Sequence, residues 1–213
     1  MSIVYDTFTE ASDTDIASHV SDSGHHWQYS DYDIGAGTMV VKGGLGWVIG
    51  HDYGGAYDVY VTDDNLSSAD YWVSATGKIP TTDPQAPDVM YVWARTNAAA
   101  SIGYAFKLDS SGNYDCRSTV TGIFSGTVSS FDSTINHTIK LQCQGSTISG
   151  WIDGNLVGSQ PNSDVSAANH MGMGLLNNTS LPSSLSWITT FDSGYITPPA
   201  GKTHRDLVMI GVK

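Results

Sequence analysis

The sequence predicts an all-β chain built as one antiparallel sandwich, and three observations predict it. Apolar and polar residues alternate with period two in many short runs, as half-buried strands require. Gly, Asp, Asn and Ser clusters separate those runs, and one separator is an Asp153-Gly154 pair, a strong hairpin signal because glycine supplies positive φ without a Cβ clash. No helical pattern persists; the Ala-rich piece from Asn97 to Ala100 is too short and too interrupted. The 213 residues suit a sandwich, since such folds run to roughly 200–250 residues as one domain. Six Trp and eleven Tyr are more aromatic surface than a disordered chain leaves in water.

The elements follow in order. Ile3-Val4-Tyr5 reads as a short strand, followed by a polar loop to residue 24. Between His25 and Tyr60 aromatic residues alternate with glycines, with strands expected at Thr38 to Val41 and Gly46 to Ile49. Tyr71 to Ala75 is a strand, and Pro80, Pro84 and Pro87 then mark a loop that central sheet would not tolerate. Val89 to Arg95 and Ser101 to Leu108 alternate, the second turning through Asp109 to Asn113 into Tyr114 to Thr119. Thr138 to Gln142, Ile148 to Ile152 and the stretch beyond the Asp153-Gly154 turn form a three-strand meander. Met171 to Leu176 and Leu185 to Tyr195 complete the set. Pro198-Pro199-Ala200-Gly201 closes the sandwich, giving a domain over 1–197 and a tail over 198–213. The tail's Leu207-Val208-Met209-Ile210 is a short strand suited to a subunit contact by strand addition. No repeat of solenoid or propeller period occurs.

Net charge is −12, with nine Lys and Arg spread thinly. Nucleic acid is excluded as a partner, because affinity for it rests on neutralising phosphates with cations. Anionic membrane surfaces are disfavoured for the same reason. The N-terminus MSIVYDTFTEASDTD lacks the basic and apolar regions of a signal peptide, and no run approaches the roughly 18 apolar residues of a membrane helix. Synthesis and folding in a cytoplasm are therefore expected, with Cys116 and Cys143 as reduced, buried thiols. On that expectation the sequons at Asn136, Asn177 and Asn178 carry little meaning.

Four motifs carry a resemblance. They are Asp6-Thr7-Phe8-Thr9 followed by Gly24-His25-His26-Trp27; Val92-Trp93-Ala94-Arg95 feeding Tyr104 to Leu108; His137 to Leu141 through Trp151-Ile152-Asp153-Gly154; and Phe191-Asp192. In this order, over about residues 5 to 197, the chain resembles the concanavalin A-like, laminin-G-like jelly-roll superfamily. The DTFT opening with a W-x-D-G hairpin looks most like the version found in tailed-phage virion proteins. The resemblance implies two packed antiparallel sheets. It further implies a non-catalytic virion component (capsid decoration, fibre or tail) on the particle surface after synthesis in the bacterial host cytoplasm, with other virion proteins and copies of itself as partners.

Glycoside hydrolases of that superfamily carry paired glutamates in an E-x-D-x-x-E strand, whereas this chain has one glutamate, Glu10. Asp31 and Asp33 share one strand face at i, i+2 spacing and are the remaining pair that could work as acid and base across a sugar. Nothing apolar nearby would raise one of them into the general-acid range, so no enzyme is expected. The histidines lack ligand spacing, and no metal or cofactor is expected. Loop calcium sites at Asp63-Asp64-Asn65 and at Asp109, Ser111, Asn113 and Asp115 compete with ordinary turn chemistry. The strongest positive feature is the aromatic crowding, and Trp27, Tyr29, Tyr32, Trp47 and Tyr53 are the candidate glycan-binding residues, although about half of such rings must face inward in a sandwich. Three functions remain: a virion protein displaying a lectin-like surface open to glycans, a stand-alone carbohydrate-binding module, and a polysaccharide-active glycosidase or lyase.

Overall fold

The computed structural model describes residues 2–10, 12–30, 38–49, 58–62, 66–80, 88–166, 170–176 and 186–196. These form strands β1 (Ser2–Asp6), β2 (Thr14–Asp15), β3 (Trp27–Tyr29), β4 (Thr38–Lys42), β5 (Leu45–Ile49), β6 (Asp58–Thr62), β7 (Tyr71–Lys78) and β8 (Val89–Thr96). The second half contributes β9 (Tyr104–Asp109), β10 (Asn113–Ser118), β11 (Gly122–Thr127), β12 (His137–Gln144), β13 (Thr147–Ile152), β14 (Asn155–Pro161), β15 (His170–Leu176) and β16 (Trp187–Tyr195). One 3-10 turn, Ile16–Ser18, interrupts the first stretch. The expected strand at Leu207 to Ile210, the tail over 198–213, and Asp31, Tyr32, Asp33, Tyr53 and Asp63-Asp64-Asn65 lie outside the described residues.

Two antiparallel sheets pack face to face. A nine-stranded sheet runs β14-β13-β12-β7-β16-β5-β4-β2, with β1 also paired to β16; a seven-stranded sheet runs β11-β10-β9-β8-β15-β6-β3. Period two decides what lies between them. Along β7 the residues Tyr71, Val73 and Ala75 are buried, while Trp72, Ser74, Thr76 and Lys78 alternate on the other side. Ile139, Leu141 and Cys143 of β12 join them, facing Met90, Val92, Phe106 and Leu108 of the seven-stranded sheet. Cys116 and Cys143 are free and buried in this core, as small apolar residues.

The hairpins obey the local rules. Asp153 and Gly154 both take positive φ, 50° and 78°, the pair of values a two-residue hairpin turn needs to match strand twist. The Asp109 to Asn113 turn is set by its first carboxylate, which accepts the backbone N–H groups of Ser111 and Asn113 at 2.9 Å each. Four strands escape the sequence pattern, among them the two-residue β2, which falls in the expected polar loop. β11 alternates only weakly, and the short β3 and β6 sit in the aromatic-glycine stretch where periodicity has too few residues to register. β9 also begins at Tyr104, three residues after the expected start.

The DTFT opening has a structural task. Asp6 is fully buried, and its carboxylate accepts hydrogen bonds from Phe8 N–H at 2.8 Å, Trp27 Nε1–H at 2.7 Å and His19 Nε2–H at 2.9 Å. His19 donates its other ring proton to Glu10 at 2.7 Å. With both nitrogens facing carboxylates the surroundings favour the protonated ring. Burial alone would lower its pKa, but hydrogen bonds to Asp6 and Glu10 and their negative charges raise it above the ordinary value. Asp22 ties the same segment down by accepting Thr7 N–H at 2.8 Å.

Candidate functional site

The two sheets differ on their outer sides. Along β8 of the seven-stranded sheet every residue is buried, on both faces. Its outward Val89, Tyr91 and Trp93 join Val61, Ala105 and Leu176 in a second apolar cluster, with Tyr91 and Trp93 only 7% and 4% exposed. Over β8 that side is buried, whereas β10 and β11 at the edge of the sheet keep exposed residues.

The outer side of the nine-stranded sheet is open and aromatic. Trp72 on β7, Trp151 on β13 and Trp187 on β16 are each partly exposed and each next to a core residue, so the pleat turns them outward. Trp72 lies across Gly194 of the neighbouring strand: a Cβ at that glycine would sit 3.0 Å from the indole Nε1 and Cζ2. The missing side chain is what lets the ring approach this closely to the neighbouring strand. On β12, one strand to the other side, Lys140 places Nζ 4.7 Å from the Trp72 ring centre and 5.2 Å from that of Trp151. Lys78 repeats the arrangement, with Nζ 5.0 Å from the ring centre of Trp187. Partial burial pulls the Lys140 pKa below that of a free lysine, against the charge of Asp192, which raises it. Asp192 and Lys140 flank Ser74 in the register of β16, β7 and β12. Tyr5, paired with Asp192 from β1, is 41% exposed, and Leu156 beside Trp151 is 58% exposed.

Chemically, this is a sheet face that offers flat rings, hydroxyls and amides in rows. Thr76 and Thr138 share a 2.8 Å hydrogen bond between the two lysine–tryptophan groups, and Gln142 pairs with both Trp72 and Ser149 in the register. Planar aromatic rings stack on the apolar faces of sugar rings, and rows of polar side chains meet sugar hydroxyls.

The sequence-predicted residues lie elsewhere. Trp27 is 2% exposed in the inter-sheet core, edge-on to Phe191 at 5.0 Å, with its N–H on Asp6. Tyr29 lies on β3 and Trp47 on β5, where Trp47 is the register partner of Trp187; their side chains are outside the described set. Trp72, Trp151 and Trp187 were passed over, yet the signal existed. In Tyr71-Trp72-Val73-Ser74-Ala75-Thr76, the tryptophan falls on the polar parity of an alternating strand, where a large apolar ring is out of place unless it meets something.

Other candidate chemistry resolves into scaffolding. Asp109 accepts three hydrogen bonds from its own turn, and Asp115 pairs with Arg117 at 2.6 Å, which is ordinary turn and ion-pair chemistry. Among the described residues no three His, Cys, Asp or Glu side chains group as a metal site. His137 stacks on Phe131 and bridges Asp153 and the Asp132 carbonyl, both at 2.7 Å. A hollow of about 300 Å³ at one end of the sandwich is lined by Asp70, Arg95, Ser146 and Ser163. Arg95, 2% exposed, spends its guanidinium on the carbonyls of Ala69, Val165 and Gly145 and on Asp70, stapling three loops.

No protein-family model and no curated protein matches the sequence. Solved structures do. The chain is similar to the carbohydrate-binding module CBM66 from Bacillus subtilis, with TM-score 0.52 and 13% identity over 77% of this chain and 91% of that one. It is also similar to a Bacillus licheniformis β-glucanase, with TM-score 0.60 and 12% identity over 92% and 98%. A third likeness is to the exoplasmic/lumenal domain of VIP36 in a Ca²⁺-bound form, with TM-score 0.58 and 9% identity over 87% and 90%. At such identities the likeness concerns the backbone, and it establishes the fold as a concanavalin A- and galectin-like jelly-roll sandwich.

Proposed function

We propose that the protein is a non-catalytic carbohydrate-binding module whose binding surface is the outer face of the nine-stranded sheet. One observation carries the reading: three partly exposed tryptophans stand on the polar parity of that sheet, one of them packed against a glycine. Exposing large rings costs hydration free energy, so a row of them on a soluble surface signals a partner. The fold neighbours support a carbohydrate as that partner, since they include a carbohydrate-binding module, a β-glucanase and a VIP36 domain solved with Man₃GlcNAc. The absence of catalysis rests on the carboxylates. The one glutamate is bonded to His19 in the N-terminal clamp, and the strands under the tryptophans contribute a single acid, Asp192. Display on a virion rests on the sequence resemblance alone.

A glycan array probed with the wild type and with Trp151→Ala tests this. Binding to a defined set of glycans, lost in the variant while its melting temperature stays close to that of the wild type, is the expected result. Binding unaffected by Trp151→Ala and Trp72→Ala would remove this face from consideration. Release of reducing ends from a bound polysaccharide would replace the non-catalytic reading with an enzymatic one.

A further inference from the structure

We infer that this face selects glycans bearing an anionic substituent, carboxylate or sulfate, and that Lys140 is the residue that reads the charge. The inference rests on the carbohydrate-binding reading above and specifies its ligand. Lys140 Nζ sits between two indoles whose ring centres are therefore no more than about 10 Å apart. An ammonium carries three donors and no acceptor. Among the described residues none of those donors reaches a hydrogen-bond acceptor or an ion-pair partner; the rings attract the charge but leave the donors open.

Charge is also distributed unevenly. The chain is at −12, yet the charged side chains that β7, β12 and β16 turn outward are Lys78, Lys140 and Asp192. Both lysines lie on tryptophan rings. The face is thus a locally cationic strip on an acidic protein, and each cation is attached to the group that stacks on sugar. An anion arriving at a partly desolvated ammonium makes charge-assisted hydrogen bonds about twice as strong as neutral ones. A sugar that carries its anion on the ring engages ammonium and indole together. A neutral sugar uses the rings and leaves the three donors to water.

Polygalacturonate and its fully methyl-esterified form separate the two, because esterification removes the charge and keeps the chain. Retardation of the native protein in gels containing each polymer, with a sulfated galactan as a third arm, reads the affinity directly. The acid form is expected to bind about tenfold tighter than the ester. Whether the sulfated polymer matches it tells carboxylate from sulfate; retention of either charged polymer above the ester supports the inference. Lys140→Met, which keeps the apolar stem over the rings, should erase the preference while leaving affinity for the ester; Lys140→Arg should restore it. Lys42→Met removes a cation bound to Asp13 at the far edge and should change nothing. Equal retention of acid and ester, a preference that survives Lys140→Met, or one that Lys42→Met abolishes as fully would overturn the inference while leaving the carbohydrate-binding reading in place. Retention of no polymer and of no neutral glycan would sink both.

Discussion

Trp27 and Trp72 are the same residue in opposite settings. Trp27 is sealed between the sheets, packed against Phe191, with its N–H on a buried aspartate that also holds the His19 ring. Trp72 lies on the outside over a glycine, with a lysine ammonium for company. In the first setting the indole completes a polar network that fixes the N-terminal segment to the sandwich. In the second its polar and apolar surfaces remain for something else. Aromatic content therefore says little about function; the strand face a ring occupies says much more.

Substitutions can break this contrast, and the largest effect belongs to the sealed side. Asp6→Ala leaves Trp27 Nε1–H, Phe8 N–H and a buried His19 without their acceptor. A loss of about 3–5 kcal/mol is expected, as for other broken buried charge pairs, read from urea unfolding. Gly77→Ala comes next, because its Cβ would stand 2.2 Å from the Trp187 carbonyl oxygen, a backbone atom that moves only with β16; about 1–3 kcal/mol of destabilisation follows.

The clamp also makes a pH statement. The folded pKa of His19 is raised, so its contribution is fully present below the unfolded value near 6.5 and is lost as pH rises through the folded value. Urea midpoints measured from pH 5 to 9 should fall over the upper part of that window in the wild type. In His19→Gln this component should vanish.

On the open side the expected changes in stability are small and those in binding large. Trp72→Ala gives up a cation–π contact of about 0.5–1 kcal/mol and some exposed packing. Its melting curve should shift far less than that of Asp6→Ala, while glycan retention disappears. Gly194→Ala is the mildest change, lifting the indole by a few tenths of an ångström at little cost in stability. A measurable drop in glycan affinity in this variant would show that the close seating of the ring matters.

Much of the fold was legible because alternation is a local signal. β7, β12 and β13 read directly from parity, and the Asp153-Gly154 turn announced itself. β8 is different: VMYVWART is buried throughout, so its two faces are not distinguished by hydropathy. The clamp was invisible, because Asp6, Glu10, His19 and Trp27 are joined by tertiary hydrogen bonds that no spacing encodes. The binding face lay between these cases. Parity marked Trp72 as outward, but clustering along the chain drew attention to Trp27 instead, and it is clustering across strands, Trp151 to Lys140 to Trp72, that builds the surface.

The most direct measurement is an NMR titration of the six indole N–H signals with the glycan that the array retains best. The account predicts that the signals of Trp72, Trp151 and Trp187 move together and saturably, while that of Trp27 stays in place. Movement confined to Trp93, on the outer side of the opposite sheet, or no movement on the tryptophan face at a saturating concentration, would contradict it.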